Sequence, residues 1–165
     1  MQTSRAKNAE WSIVRLAGPV ALLLVLACGT DPLGKLTDAV GARKLVDATD
    51  NIVNATITVG AMDHAAYRVA IGESQKDPHI VGSFRASGGM GNDIVVCIMT
   101  ETDYVNWANG HGGSTYYNSG QLTTSSVDVG PLAPGSYRVI FDNSFSTFSR
   151  KNVTTRVELR YKTRG

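Results

Sequence analysis

Residues Gly135 to Tyr161 read GSYRVIFDNSFSTFSRKNVTTRVELRY and predict two β-strands joined by a polar loop. In each strand, mostly apolar side chains alternate with polar ones, which is the period-2 pattern of a strand with one buried face. We expect the two strands to pair as a hairpin. The side chains expected to face inward are Tyr137, Val139, Phe141, Val153, Thr155, Val157, Leu159 and Tyr161.

The loop between these strands has a structural role in this prediction. Asp142 and Asn143 belong to residue types that hydrogen-bond to nearby backbone and tolerate turn conformations. Phe145 and Phe148 are expected to plug the open end of a β-sandwich. A binding role for the loop is the alternative.

The chain upstream contains further short segments of strand character, separated by turn residues. The predicted strands are residues 52–59, 64–71, 78–86, 93–100, 115–118 and 121–129. The first two are expected to pair, and the apolar segment 93–100 is expected to form a central strand covered on both faces. A helical turn is predicted at 103–109. About eight short strands with a turn every ten residues or so predict an all-β fold, an antiparallel β-sandwich.

The charge distribution argues against nucleic acid as a partner. The 165-residue chain has a formal net charge of +2. Residues 1–27 contain three basic residues and one acidic residue, so the remainder is neutral overall. Binding to phosphate backbones needs concentrated positive charge. A basic face remains on the last strand at Arg156, Arg160 and Lys162, expected to be solvated, with a headgroup-binding patch as the alternative.

Residues 1–27 predict a signal peptide that is not part of the fold. Basic residues precede the apolar run from Leu16 to Leu26, which is too short to span a bilayer as a helix of about 20 residues. The segment Val25-Leu26-Ala27-Cys28 resembles the lipobox of bacterial lipoproteins. The resemblance implies cleavage after Ala27 and acylation of Cys28 with chains such as palmitate, which would anchor the protein in a membrane of the cell envelope.

The residue after the lipidated cysteine indicates which membrane is involved. It is Gly29 and not aspartate, which in a Gram-negative organism favours the outer membrane, on its periplasmic or surface side. Residues 28–51 are predicted to be the lipidated cysteine and a partly helical tether, because Leu33, Leu36 and Val40 recur at helical spacing. Residues 52–165 are predicted to form the β-sandwich domain.

A family resemblance lies within residues 80–161. Its segments, in chain order, are Gly82-Ser-Phe84, Ser87-Gly-Gly89, Asp93-Ile-Val-Val96, Pro134-Gly-Ser-Tyr137, Phe141-Asp-Asn-Ser-Phe-Ser146 and Lys151-Asn-Val153. This order resembles the GOLD domain, a jelly-roll β-sandwich found in cargo receptors of the early secretory pathway and in some lipid-transfer proteins. The resemblance implies the jelly-roll fold and contacts with proteins or lipids. Members usually contain a disulfide, but Cys97 has no partner once Cys28 is acylated and is predicted to be a small buried hydrophobe.

One group of aromatic and amide residues is the candidate binding surface. Rings beside amides can hold sugars or anchor protein interfaces. In the alternative interpretation, Trp107 and one tyrosine belong to the core. The candidate residues are Tyr104, Asn106, Trp107, Asn109, Tyr116, Tyr117 and Asn118.

Catalytic, metal and cofactor sites are not predicted. The segment His111-Gly-Gly-Ser114 resembles esterase oxyanion loops, but the sequence lacks a Gly-x-Ser-x-Gly nucleophile elbow. The acidic residues lack the spacing of a calcium loop; they are Asp93, Glu101, Asp103, Asp128 and Asp142. The sequence therefore favours a non-catalytic protein-interaction or accessory module on a lipid anchor. A glycan-binding module is the alternative, and a hydrolase built on His111 and Ser114 is a third hypothesis.

Overall fold

The computed structural model describes residues 44–89 and 91–165, so the predicted signal peptide, the lipobox and most of the predicted tether lie outside the described residues. The described chain forms eight strands and one helix. These elements are β1 (Leu45–Val59), β2 (His64–Ile71), β3 (Lys76–Ser87), β4 (Ile94–Thr100), α1 (Glu101–Ala108), β5 (Tyr117–Leu122), β6 (Thr124–Val129), β7 (Gly135–Asp142) and β8 (Lys151–Arg164).

The strands form two four-stranded antiparallel sheets. Sheet A has the order β1-β8-β3-β6, and sheet B has the order β2-β7-β4-β5. This is the strand order of an eight-stranded jelly roll, in which two Greek keys form two packed sheets. The predicted all-β antiparallel sandwich is confirmed.

The core lies between the sheets and follows the predicted alternation. On β7, Tyr137, Val139 and Phe141 are buried, and on β8 the alternate residues from Val153 to Leu159 are buried. Burying each large apolar side chain stabilises the fold by about 1.5–3 kcal/mol. The Tyr137 hydroxyl donates a hydrogen bond to the Ala133 carbonyl at 2.8 Å, which satisfies its polar end.

Two predicted strand pairs are wrong. β7 belongs to sheet B and β8 to sheet A, so residues 135–161 form a crossing between sheets and not a hairpin. β1 and β2 are likewise in different sheets. Packed sheets lie about 10 Å apart, and the connections 60–63 and 143–150 bridge that gap at the same end of the sandwich. Alternation assigns each strand an inward face, but it does not assign its neighbours.

Two predicted boundaries also differ. β1 begins at Leu45 and pairs with β8 along its whole length, so residues 45–51 belong to the sheet and not to the tether. In place of the strands predicted at 115–118 and 121–129 the chain has β5 (Tyr117–Leu122) and β6 (Thr124–Val129), and it passes from sheet B to sheet A at Thr123. There the Thr123 carbonyl accepts a hydrogen bond from the Ala86 backbone N–H at 2.7 Å. Because Ala86 belongs to β3, this bond attaches Thr123 to sheet A.

Strand β4 lies between β7 and β5 and is covered on both faces, as predicted. Its inward residues join the main core, whereas Cys97 and Met99 face outward beneath Tyr104 and Trp107 of α1. The Thr100 hydroxyl caps α1 by accepting a hydrogen bond from the Asp103 N–H. Burial raises the pKa of the Cys97 thiol to about 11, so Cys97 is the buried, protonated hydrophobe that the sequence predicts.

Candidate interaction surface

The structure does not bring the predicted aromatic residues together on one surface. Tyr104 and Trp107 are half-buried on the outer face of sheet B. Tyr117 packs against the main core between the sheets. Tyr116 is exposed and contacts Tyr137 edge-on, with 5.6 Å between ring centroids. These rings therefore cannot form a single stacking platform.

Two of the predicted amides are engaged in local backbone contacts. Asn109 ends α1, and its side chain donates a hydrogen bond to the Val105 carbonyl at 2.7 Å. The Asn118 side chain accepts a hydrogen bond from the Gly120 N–H at 2.8 Å. Asn106 is exposed. Asn109 and Asn118 thus stabilise turns at α1 and β5. Of the three predicted amides, Asn106 alone makes no side-chain hydrogen bond to backbone within the described residues.

A compact cluster holds α1 against sheet B. Arg138 on β7 donates two hydrogen bonds to the Glu101 carboxylate, both at 2.8 Å, and its guanidinium lies 5.1 Å from the centre of the Tyr104 ring. This hydrogen-bonded pair lowers the pKa of Glu101. The His64 imidazole contacts the Tyr104 hydroxyl at 3.0 Å and lies edge-on to Trp107, with 5.0 Å between ring centroids. Bidentate Arg–carboxylate pairs fix geometry, so the cluster orients the helix.

Three of the eight large apolar side chains that are exposed in the described residues lie in the loops 60–63 and 143–150, at one end of the sandwich. We call these two loops the tip. Phe148 is 94% exposed, Met62 is 69% exposed and Phe145 is 37% exposed. The prediction that Phe145 and Phe148 plug the sandwich is therefore wrong. A large apolar side chain that is almost fully exposed, as Phe148 is, is a candidate anchor for an interaction site.

Asn143 occupies the place that the phenylalanines were expected to fill. It is fully buried, and its side-chain amide donates hydrogen bonds to the carbonyls of Gly60 at 2.7 Å and Ser149 at 2.8 Å. Its backbone N–H donates to the Asp63 carbonyl at 2.9 Å. One buried amide therefore binds both loops of the tip to each other, because a small polar side chain can satisfy backbone groups that a phenylalanine cannot.

Two further contacts hold the tip in place. The Met62 N–H donates to the Ser146 carbonyl at 2.9 Å and joins the loops directly. At the base of loop 143–150, the buried Lys151 ammonium lies 2.8 Å from the Asp93 carboxylate. Its hydrogen bond lowers the pKa of Asp93, which stays ionised at neutral pH. The tip is a preorganised structure with apolar side chains on its outer surface.

The outer face of sheet A is polar and contains the basic residues predicted on β8. Glu158 is buried between the exposed Arg156 and Arg160, whose guanidinium nitrogens lie 2.6 Å and 3.3 Å from its carboxylate oxygens. The hydrogen bond from Arg156 is the largest cause of the lowered pKa of Glu158. Shallow grooves of about 380, 490 and 270 Å³ cross this face. The basic stripe is thus partly neutralised by its own carboxylate.

The other candidate residues do not assemble into a reactive centre within residues 44–89 and 91–165. His111 is exposed, and Ser114 donates its backbone N–H to the Asp103 carboxylate at 3.0 Å. Asp128 contacts the His79 ring at 3.1 Å. In this part of the chain, no group of three or more His, Cys, Asp or Glu side chains could hold a metal ion.

Sequence reasoning missed His64 and Met62 as members of these sites. A single histidine beside Asp63 and a methionine in a short turn have no recognisable spacing signal.

Comparison of the chain with models of known protein families and with curated proteins finds no significant match. None of the helices in the described ranges has the length and apolarity required to cross a membrane.

Proposed function

We propose that this protein is a lipid-anchored cell-envelope lipoprotein whose sandwich, similar to the GOLD domain, is a non-catalytic protein-interaction or accessory module. The observation that supports interaction is the tip, where Phe148 and Met62 project into solvent from loops held by the buried Asn143. Aromatic residues and methionine are enriched at interfaces, and an interface needs only a few such anchors. A rigid tip also loses little entropy on binding.

The anchor is supported by the lipobox resemblance at Val25 to Cys28. Cys28→Ala should abolish labelling of the protein with a radioactive or clickable palmitate analogue and should release the protein from the membrane fraction. Cys97→Ala is the matched control, because Cys97 is buried beneath α1 and should leave labelling unchanged. Equal labelling of Cys28→Ala and wild-type protein would exclude this anchor.

The interaction is tested by crosslinking and affinity purification of the lipidated protein from its own cells. A stoichiometric protein partner is expected. Repeated purification of the protein alone, after crosslinking of intact envelopes, would count against an interaction module.

Glycan binding is the second candidate, and the grooves on the outer face of sheet A favour it. Their linings combine arginine, carboxylate, serine and threonine side chains, which can donate and accept hydrogen bonds to sugar hydroxyls. Binding of envelope polysaccharide to the purified protein that is lost in Arg156→Ala, but kept in Phe148→Ser, would favour this function over the first.

A further inference from the structure

We propose that the outer face of sheet A binds an acidic glycan, and that Arg85 and Arg156 hold an anionic group of that chain. The group is a carboxylate or a phosphate, since both present the oxygen atoms that a guanidinium binds with two hydrogen bonds. This inference rests on the second candidate function, glycan binding, and names its ligand class and the residues that select it.

The outward positions of the strands in sheet A are almost entirely polar. On β8 they alternate with inward residues from Asn152 to Lys162, and on β3 from His79 to Ser87. Within the described strands, Val81 is the one apolar residue at the outward positions of β3, β6 and β8. None of the large apolar side chains that are exposed in the described residues belongs to these three strands. The face therefore suits a ligand rich in hydroxyl groups, whereas protein interfaces and lipid surfaces are contacted mainly through apolar side chains.

The three grooves of this face join into one path. The groove of 490 Å³ shares Arg160 with the groove of 380 Å³ and shares Arg156 with the groove of 270 Å³. Along β8 the path extends from Lys162, which lines the first groove, to Thr154, which lines the last. The eight residue steps between them, at about 3.3 Å each, span about 26 Å. An extended polymer can follow such a path.

Arg85 differs from the other arginine and lysine residues of this path, because no carboxylate lies beside it. Arg156 contacts Glu158, and Lys162 lies opposite Asp47 in the register of β1 and β8. Within the described residues, Arg85 is exposed and makes no hydrogen bond or ion pair. The outward residues around it have hydroxyl, amide or guanidinium groups. They are Ser83, Ser87, Thr124, Ser126, Asn152, Thr154 and Arg156.

Arg85 and Arg156 can bind one anionic group together. Arg85 lies opposite Thr154 and Ser83 lies opposite Arg156, so the two arginines are diagonal neighbours, which are about 7–8 Å apart in antiparallel sheets. Arg156 donates its Nε–H to Glu158, and a guanidinium has further N–H donors for a ligand. The groove of 270 Å³ that both arginines line has no carboxylate in its lining. An anion between the guanidinium groups would offset their mutual repulsion.

The carboxylates further along the path restrict the number of anionic groups in the ligand. Asp128 lines the grooves of 380 and 490 Å³, and Glu158 lines the second of these. Carboxylates accept hydrogen bonds from sugar hydroxyls and repel further anions. The proposed ligand is therefore a glycan whose anionic groups are separated by neutral sugars, and not a nucleic acid with a phosphate at every nucleotide.

The experiment uses the full lipidated chain in detergent and polysaccharide extracted from the envelopes of its own cells. Anion exchange separates an acidic from a neutral fraction. One part of the acidic fraction is carboxyl-reduced, which converts uronic acids into neutral sugars, and another part is dephosphorylated. Calorimetric titration measures the affinity of each preparation for wild-type protein, Arg85→Gln and Arg68→Gln. Arg68 is the matched control, because it is an exposed arginine on β2 in sheet B.

We expect wild-type protein to bind the acidic fraction at least about tenfold more tightly than the neutral fraction, as charge-assisted hydrogen bonds to arginine would provide. Arg85→Gln should lose that preference, and Arg68→Gln should keep it. One of the two chemical treatments should also remove the preference and so identify the anion as a carboxylate or a phosphate. Since both arginines are exposed, the two variants should unfold at the wild-type temperature.

Other results would contradict the inference. Equal affinity for the two fractions, unchanged in Arg85→Gln, would leave glycan binding in place and remove the anion site. Equal losses in Arg85→Gln and Arg68→Gln would show attraction by net charge and would also remove that site. Arg85-dependent binding of phosphatidylglycerol vesicles or single-stranded DNA, without binding of the acidic fraction, would assign the site a different ligand. Absence of binding to every polysaccharide fraction would overturn the second candidate function together with this inference.

Discussion

Replacing Asn143 by alanine should destabilise the domain and loosen the tip. The substitution removes two hydrogen bonds, to the Gly60 and Ser149 carbonyls, each contributing about 1 kcal/mol net. The Gly60 carbonyl then loses its side-chain donor, whereas the Ser149 carbonyl keeps the Ser146 hydroxyl at 3.0 Å. Loss of the buried amide also leaves a small cavity, which adds about 1 kcal/mol.

One opposing effect reduces this total. Within the described residues, the Asn143 Oδ1 atom is buried without a hydrogen-bond partner, and removing it relieves a desolvation penalty of about 1 kcal/mol. The expected net loss for Asn143→Ala is therefore about 2 kcal/mol, or roughly 8 °C in Tm for a domain of this size. Urea unfolding followed by circular dichroism measures it directly.

Asn118→Ala is the matched control, because that asparagine is exposed and makes one side-chain hydrogen bond, to the Gly120 N–H. It should cost about 0.5 kcal/mol. Asn143→Asp tests the direction of the hydrogen bonds, since a carboxylate would face the two carbonyls that now accept hydrogen bonds from the amide. It should be more destabilising than alanine at pH 7 and recover as the pH falls and the carboxyl is protonated. If Asn143→Ala costs no more than Asn118→Ala, the buried amide does not hold the tip.

Three further predictions follow from the described contacts. The hydrogen bond from Lys151 lowers the pKa of Asp93, so the pair contributes stability above a pH of about 4, and this stability is lost as the pH falls through the lowered pKa. Asp93→Asn should therefore cost about 3 kcal/mol of unfolding free energy at pH 7. Urea titrations at a series of pH values should also show a flatter acid side of the stability curve for this variant. Cys97 should not react with a thiol reagent at pH 8 in the native state and should react fully in guanidinium, as measured by absorbance of the released thiolate; rapid native reaction would contradict its burial and its pKa of about 11. Gly82→Ala should destabilise the domain by more than about 2 kcal/mol in thermal unfolding, because the new methyl group meets the backbone of β8. The control Gly110→Ala has open space at its methyl position, so it should be destabilised less, by the strain of its positive φ alone.

The inward faces of the strands were predictable because alternation is a local property. Val153, Val157 and Leu159 have polar neighbours at every intervening position, and a strand with that pattern has only one side that can enter a core. Strand partners were not predictable in the same way. An eight-residue connection such as 143–150 can close a hairpin or cross between packed sheets, and both solutions bury the same side chains.

The tip illustrates a second limit of sequence interpretation. Both Phe148 and Asn143 are in one loop, and hydrophobicity predicts burial of the first and exposure of the second. The structure has the reverse arrangement, because the backbone carbonyls at this end of the sandwich need a donor and the amide supplies it. The hydrogen-bonding role of Asn143 follows from its residue type, whereas the identity of the acceptors depends on the crossing between sheets. His64 was missed for a related reason, since Tyr104 reaches it only after α1 folds back over sheet B.

The burial of Asn143 and the exposure of Phe148 connect the stability of the domain with its proposed capacity to bind. An exposed phenylalanine leaves about 1.5–3 kcal/mol of burial unrealised in the free protein, and an exposed methionine adds a similar amount. A partner can recover that free energy only if the loops are not reordered on binding, because ordering each long side chain or loop would consume a comparable amount. The Asn143 amide would meet this condition for the proposed partner, because it fixes the loops before binding. Asn143→Ala should therefore weaken binding of the proposed partner as well as stability, although the buried Asn143 cannot itself contact that partner.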